Sequence, residues 1–154
     1  MNPSTYIARH FRQIYLGGEE NWVEANIKDE VSGLTWQQAT TQIHDFNTIA
    51  TLVFHLHYFV KVVTRVLEGG PLEGNDTLSF EAPSIESKES WEGFLTPVWA
   101  EAEHFATLIE QVPEAKLAEP FVDPKYSDYY YNLFGMIEHC HYHIGQIRLI
   151  KKLL

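Results

Sequence analysis

Apolar residues recur every three or four positions along four stretches of the chain, which is the period of an amphipathic α-helix. In residues 47–67 the apolar stripe comprises Ile49, Leu52, Val53, Leu56, Phe59, Val60, Val63 and Leu67. In residues 127–154 it comprises Leu133, Met136, Ile137, Cys140, Ile144, Ile147 and Ile150. No alternating pattern is long enough to indicate a β-strand. The pattern therefore predicts an all-α fold.

Capping and breaking residues predict where these helices begin and end. The first helix should start after Asn2, which is followed by proline, and end at the glycine pair 17–18. A third helix should start after Ser87 and run to about residue 112. Pro97 lies inside it and is expected to bend it or displace its start. Ser127 is the predicted cap of the last helix.

The predicted connections are long. Residues 19–46 carry apolar anchors such as Trp22 and Val23 without a long period, so we expect a connection that contains short helical turns. Residues 72–86 form a loop rich in glycine, proline and serine. This loop is interpreted either as a lid over the helices or as a surface connection held down by Phe80. Four amphipathic helices joined in this way predict a four-helix bundle.

A length of 154 residues fits one domain, residues 1–154. A content of 45% hydrophobic and 14% aromatic residues predicts that this domain folds around a core. The formal net charge of −10, without a local Lys/Arg cluster, argues against nucleic acid as a partner. The chain shows neither a secretory signal nor an uninterrupted apolar run of the roughly 20 residues that cross a membrane. Its single cysteine excludes an internal disulfide and fits a reducing compartment. We therefore expect a cytoplasmic protein that binds neither nucleic acid nor membrane.

Histidine spacing is the first sign of chemistry. Three of the eight histidines, His139, His141 and His143, fall within one short segment of the last helix. His139 and His143 stand at i and i+4, so they lie one turn apart on the same face, whereas His141 points away and is expected to face solvent. On a helical wheel of about 100° per residue, His55 lies inside the apolar stripe of its own helix. His57 lies beyond the opposite edge of that stripe, so His55 is the histidine predicted to point inward.

Three inward imidazoles from two helices would leave an open coordination position, which is typical of a catalytic metal site. A metal held in this way lowers the pKa of bound water to about 7 or activates a thiolate. Spacing alone does not bring the two helices side by side, so a chance pair or a packed polar pair stays an alternative. Gln146 is a candidate to orient a ligand or the bound water. Glu101 is a candidate base or rim carboxylate, and Tyr142 a candidate pocket residue.

Other interpretations of the same residues are less favourable. The motif Glu-x-x-His of di-iron bundles occurs twice, beginning at Glu101 and at Glu138. Such a site needs inward-facing motifs and a central glutamate on each other helix; Glu138 and His141 face away from the stripe, and those glutamates are missing. Cys140 lies in the apolar stripe and should pack as a small hydrophobe rather than act as a nucleophile. His10, on the apolar side of the first helix, is interpreted as a packed histidine.

Two segments resemble the DinB-like superfamily of small bacterial metal-binding four-helix bundles. Residues 47–56, Asn-Thr-Ile-Ala-Thr-Leu-Val-Phe-His-Leu, resemble the second helix of that family. Residues 138–147, Glu-His-Cys-His-Tyr-His-Ile-Gly-Gln-Ile, resemble the HxxYHxGQI motif of its fourth helix. The resemblance implies an up-down-down-up order of helices. It also implies a divalent metal such as nickel or zinc, held by His55, His139 and His143. The chain departs from the family pattern in an extended loop at 69–86 and in the added His141.

The superfamily includes YfiT-type proteins, described as hydrolases, and the bacillithiol and mycothiol S-transferases. The resemblance therefore implies a metal-dependent hydrolase or thiol transferase that acts on a small molecule or a low-molecular-weight thiol. A homodimer is expected by analogy alone. Fold does not dictate function, and the alternative is a non-catalytic metal-binding, stress-associated bundle.

Overall fold

The structure is a computed structural model that describes residues 2–18 and 24–154, so Trp22 and Val23 lie outside the described residues. Within these ranges the chain forms α-helices and short 3₁₀ turns, and no β-strand. The all-α prediction is confirmed. The α-helices are α1 (Pro3–Tyr15), α2 (Ile27–Val31), α3 (Trp36–Thr40), α4 (Ile49–Leu67), α5 (Lys88–Gln111) and α6 (Tyr129–Lys151). The 3₁₀ turns span Leu78–Phe80, Glu114–Ala118 and Pro124–Tyr126.

Side-chain caps define the starts of the long helices. Asn2 caps α1 and Ser87 caps α5, as predicted, and Thr48 caps α4. The prediction that Ser127 caps the last helix is wrong. Ser127 has φ +66°, whereas Asp128 is extended and its carboxylate accepts a hydrogen bond from a backbone N–H in the first turn of α6. The cap is one residue later because only there does the chain have the extended conformation that a cap needs.

Pro97 lies inside α5 without ending it, and the start of the helix is not displaced. Proline removes one backbone N–H, so the carbonyl of Gly93, one turn earlier, loses its partner. Both residues are exposed, so water can satisfy that carbonyl. The proline is therefore tolerated on the solvent side of a continuous helix.

The four long helices α1, α4, α5 and α6 all contribute residues to one hydrophobic core. α1 packs against α5 and α6, and α4 packs against the same two helices. Ser4 at the start of α1 donates a hydrogen bond to the carbonyl of Val112 just after α5, and Phe11 packs edge-on against Phe105. Since later residues of α1 meet earlier residues of α5, these two helices are antiparallel.

α4 contacts neighbours on more than one side and buries more than a single stripe. His57, expected to point away from the core, is only 7% exposed, and its Nε2 lies 3.3 Å from Glu101 Oε2 on α5. That expectation is wrong because α5 covers one side of α4 while α6 and the Leu78–Phe80 turn cover others. A wheel drawn for one apolar face cannot show a second covered face.

Within the described ranges, α4 is also the one helix long and apolar enough to cross a membrane by length and composition. In its most apolar window, 61% of the residues are buried inside the protein. This degree of burial is that of a helix in the core of a folded protein.

Cys140 and His141 are neighbours on α6, but their side chains have different surroundings. Cys140 is fully buried and burial raises the pKa of its thiol, as expected of a packed cysteine. His141 does not simply face solvent: its ring centre lies 6.1 Å from that of His10, and it is half-buried because α1 covers this side of α6. His10 is half-buried and packs against both His141 and Tyr6, in agreement with its interpretation as a packed residue.

Candidate metal site

The structure brings together the three histidines that the sequence singled out. α4 and α6 run antiparallel here, so Phe59 lies against His139 and His55 against His143. The Nε2 atom of His139 is 2.9 Å from Nε2 of His55 and 2.9 Å from Nε2 of His143. One ligand atom from each histidine lies within 4.8 Å of the others. These residues can hold one metal ion.

A buried serine determines which nitrogen of His55 faces the site. Nδ1 of His55 is 2.8 Å from Oγ of Ser79, and that hydroxyl donates to the carbonyl of Asp76 at 2.5 Å. A hydroxyl has one proton, so Ser79 Oγ can only accept from His55, and Nδ1 carries the hydrogen. Nε2 of His55 is then left with its lone pair directed at the site.

Gln146 has the same relationship to His143. Its Oε1 lies 2.7 Å from Nδ1 of His143, which donates the hydrogen bond and leaves Nε2 with a lone pair. Gln146 therefore lies where the sequence analysis expected an orienting group, although it contacts a candidate ligand residue rather than the site itself. A hydrogen bond of this kind holds the ring and the tautomer of a metal-binding histidine.

The other two candidate residues differ in position. Tyr142 is 66% exposed and its ring packs edge-on against His143, with centres 5.0 Å apart. It lies next to the site but on its solvent side. Glu101 on α5 pairs with His57 on α4 and is not among the residues that line the cleft beside the histidines. The role of Glu101 as a base or a rim carboxylate stays a prediction.

The donor set fits a metal ion better than a hydrogen-bonded trio. Two lone pairs, from His55 and His143, face one nitrogen of His139, and a neutral His139 can donate a single proton from that atom to one of them at most. A cation accepts all three lone pairs. Zinc–nitrogen bonds of about 2.0–2.1 Å with angles between about 90° and 109° put ligand nitrogens roughly 2.8–3.4 Å apart. The two separations from Nε2 of His139, 2.9 Å each, lie near the short end of that range, and the ligand atoms of all three residues lie within 4.8 Å of one another.

The electrostatic environment keeps these rings neutral. Burial lowers the pKa of His55 to about 4, and the neighbouring His143 lowers it as well. Burial likewise lowers the pKa of His139 to about 4, with His143 and His55 adding to the effect. Burial also lowers the pKa of His143, opposed by its hydrogen bond to Gln146. Neutral imidazole is the form that binds metal, so the site is ready for a metal at pH 7 without losing protons.

A cleft of about 620 Å³ opens beside His55 and His139. It lies along the seam between α4 and α6 and under the connection that follows α4. Apolar and aromatic side chains make up most of its wall: Phe59, Val62, Val63, Leu72, Phe121, Tyr126, Tyr131 and Met136. Asp76, Asn132 and Glu138 supply its polar groups besides the histidines. The cleft has the size and the mixed lining of a small-molecule site.

Sequence reasoning missed the part of the site that comes from the 72–86 loop. The Leu78–Phe80 turn packs on α4, and the ring of Phe80 lies 4.0 Å from that of His55, centre to centre. Phe80 is the residue that holds the loop down in the surface-connection interpretation, one of the two that the sequence leaves open. Ser79 carried no periodic signal, because a serine next to an apolar residue in a loop looks like any other turn residue.

No protein-family model, curated protein or solved structure matches this chain. The likeness to the DinB-like superfamily therefore depends on residues 47–56 and 138–147 alone. The ability to hold a metal ion depends on the positions of the three histidines, independently of any relative.

Proposed function

We propose that this protein binds a divalent metal ion through His55, His139 and His143 and uses it to act on a small molecule in the adjoining cleft. The reaction is hydrolysis or transfer to or from a low-molecular-weight thiol. One observation carries the proposal: three Nε2 atoms converge beside a cleft that is open to a ligand.

The chemistry of the site supports an enzyme. A divalent ion bound by three neutral nitrogens keeps coordination positions free and supplies a Lewis acid that acidifies a water or a thiol. The chain holds the imidazoles through Ser79 and Gln146, and the apolar walls of the cleft exclude solvent from a bound molecule. Asp76 and Glu138 line the same cleft and offer hydrogen-bond acceptors to the polar groups of a bound molecule.

We also propose that the fold is a four-helix bundle of the DinB-like, up-down-down-up type. That order requires α1 and α5 to be antiparallel, α4 and α6 to be antiparallel, and α4 and α5 to be parallel. The first two relations match the contacts described above. The third is supported by His57 lying against Glu101 and, further along both helices, Glu68 lying against His104. The resemblance adds nickel or zinc as the metal and a homodimer as the assembly, and the cytoplasmic location stays a prediction from the sequence pattern.

Metal analysis tests the ligand assignment. Protein purified without chelator or affinity nickel should carry one divalent ion per chain, measured by elemental analysis. His55→Ala should lose it, whereas His44→Ala, at an exposed histidine outside the site, should keep it. Stoichiometric metal in His55→Ala would show that the ligands are other residues.

Turnover separates the two functional classes. Metal-loaded protein is to be assayed with esters, amides and phosphates, and with pairs of a thiol and an electrophilic acceptor. Activity that disappears in His55→Ala and survives in His44→Ala supports the enzyme. Full metal binding without turnover in any of these panels would instead favour the non-catalytic metal-binding protein.

A further inference from the structure

We propose that Ser79 is a positioning residue for the metal site, because its hydroxyl determines which nitrogen of His55 is free to bind the ion. This inference rests on the proposed function and adds to it a residue from outside the bundle helices. Ser79 lies in the loop that departs from the family pattern, and neither periodicity nor the motif points to it.

The geometry around Ser79 admits one direction of hydrogen bonding. The side chain is fully buried, and its Oγ lies between His55 Nδ1 at 2.8 Å and the carbonyl oxygen of Asp76 at 2.5 Å. The carbonyl can only accept, so the serine proton goes to Asp76 and the histidine proton to Ser79. His55 is thereby held with hydrogen on Nδ1.

The turn that carries Ser79 is itself held in place. The N–H of Asn75 donates to the hydroxyl of Tyr58 on α4 at 2.9 Å, and the side chain of Asn75 accepts from the N–H of Leu78 at 3.2 Å. The N–H of Ser79 donates to the carbonyl of Asn75 at 3.1 Å. The hydroxyl is therefore presented to His55 by a turn with its own backbone bonds and a tie to the same helix.

Loss of the hydroxyl changes the preferred tautomer rather than the fold. His55 is 4% exposed, so without Ser79 Oγ its Nδ1–H has no protein acceptor in this geometry. The ring can avoid a buried unpaired donor by moving the proton to Nε2, where the Nε2 of His139 at 2.9 Å accepts it. That tautomer has no lone pair on Nε2, the nitrogen that faces the metal site. In the Ser79→Ala variant, the proton must therefore return to Nδ1 of His55 before the metal can bind, and this weakens metal binding.

Ser79 should matter more than Gln146, although both contact the Nδ1 of a candidate ligand. Gln146 is half-buried and also borders a second, smaller pocket, so water can replace its amide. Ser79 is fully buried beneath Phe80 and His55, where replacement by water requires the turn to move. The two hydrogen bonds are similar in length, and burial is what distinguishes them.

The first experiment reads the tautomer directly. Long-range ¹H–¹⁵N NMR of chelator-treated wild-type protein should show His55 protonated on Nδ1, and Ser79→Ala should move the proton to Nε2 in most molecules. Ser84→Ala is the matched control, since Ser84 lies exposed in the same connection and its hydroxyl bonds to Glu86. Wild-type His55 with its proton on Nε2 would overturn the inference, and this measurement does not require metal to bind.

The second experiment measures zinc affinity by competition with a chromophoric chelator. Ser79→Ala should weaken zinc binding about 10- to 100-fold, as loss of other partners of metal-binding histidines does. Gln146→Ala should weaken it less, and Ser84→Ala should match the wild type. Ser79→Thr and Ser79→Val have nearly the same shape, so Thr should bind zinc at least several-fold more tightly than Val.

The outcomes separate the two proposals. Wild-type protein that binds no zinc while His55 still changes tautomer in Ser79→Ala means that the proposed function fails and the role of Ser79 in orienting the ring stands. Wild-type protein that binds zinc with Ser79→Ala equal to it means that the role of Ser79 fails and the metal site stands. Equal affinity in Ser79→Thr and Ser79→Val also contradicts this role, and it does so even if the alanine variant is unstable.

Discussion

The ring of Phe80 lies on the imidazole of His55, with centres 4.0 Å apart and 19° between their planes. One residue comes from a loop and the other from the most buried helix, and together they close one side of the candidate metal site. Phe59 covers another part of the same imidazole edge-on, with ring centres 5.1 Å apart. Burial is the main cause that lowers the pKa of His55. The rings of Phe80 and Phe59 are part of what buries this imidazole.

Phe80→Ala should therefore destabilise the protein and expose His55. Phe80 is half-buried, so we expect a loss of about 2 kcal/mol in the free energy of unfolding, below the range for a fully buried phenylalanine. Urea denaturation of the metal-free protein measures it. Phe46→Ala, at a residue 45% exposed and away from His55, should cost less than half as much. Equal losses in the two variants would contradict a role for Phe80 in closing the site.

The metal-free protein should lose stability as the pH falls from 6.5 towards 4. The pKa of His55 and of His139 is about 4 in the folded chain against an ordinary value of 6.5, so between these values the unfolded chain binds more protons. Stability then rises with pH through that window and levels off above it. Urea midpoints measured across the window check this.

A glutamine variant of a site histidine tests the origin of that slope. His55→Gln removes one of the titrating groups, so the fall in urea midpoint between pH 6.5 and 4 should become smaller. His104→Gln, at an exposed histidine paired with Glu68, should leave the fall unchanged. A fall that is the same in both variants would place its cause elsewhere in the chain.

Arg12 joins α1 to α5 through two carboxylates. Its guanidinium lies 2.8 Å from Glu103 and 2.6 Å from Glu110, and these two hydrogen bonds raise its pKa above the ordinary value. Arg12→Ala should cost about 1 kcal/mol because the pairs are only partly buried and solvent screens them. The loss should shrink in high salt. Lys88→Ala, which breaks an exposed pair with Glu92, should cost no more than a few tenths of a kcal/mol by the same argument.

The start of α6 offers a pair of substitutions with opposite expected signs. Asp128→Ala removes the cap and should lower the free energy of unfolding by about 1 kcal/mol. Ser127→Gly should raise it by about 1 kcal/mol, because φ +66° and ψ −155° form a conformation that glycine adopts without strain. Thermal or urea unfolding of both variants measures the two changes in the free energy of unfolding. Destabilisation by Ser127→Gly would mean that the serine side chain stabilises this turn.

Local patterns predicted much of the fold and of the site. The helical period located α1, α4, α5 and α6 within a few residues, and the caps Asn2 and Ser87 were correct, because these signals act over one turn. The inward orientation of His55, His139 and His143 followed from the same period. The error at Ser127 arose because several residues near a helix start can cap it, and the backbone conformation selects among them.

Contacts between distant residues could not be predicted in this way. His57 was placed outside the core because the period of α4 does not reveal that α5 covers a second side of it. Ser79 was missed because its partner His55 is 24 positions earlier in the chain, and nothing near Ser79 indicates that a histidine will lie above it.

The sequence by itself determined which segments are helical and which histidines each helix turns inward, since both depend on hydrogen bonds and side-chain spacing within one or two turns. Only the tertiary structure decided that His55 meets His139, 84 positions away, and that a loop serine supports the pair. Those relationships depend on how helices and loops pack against one another. Packing is set by the shape and burial of many side chains together, and no local pattern along the chain encodes it.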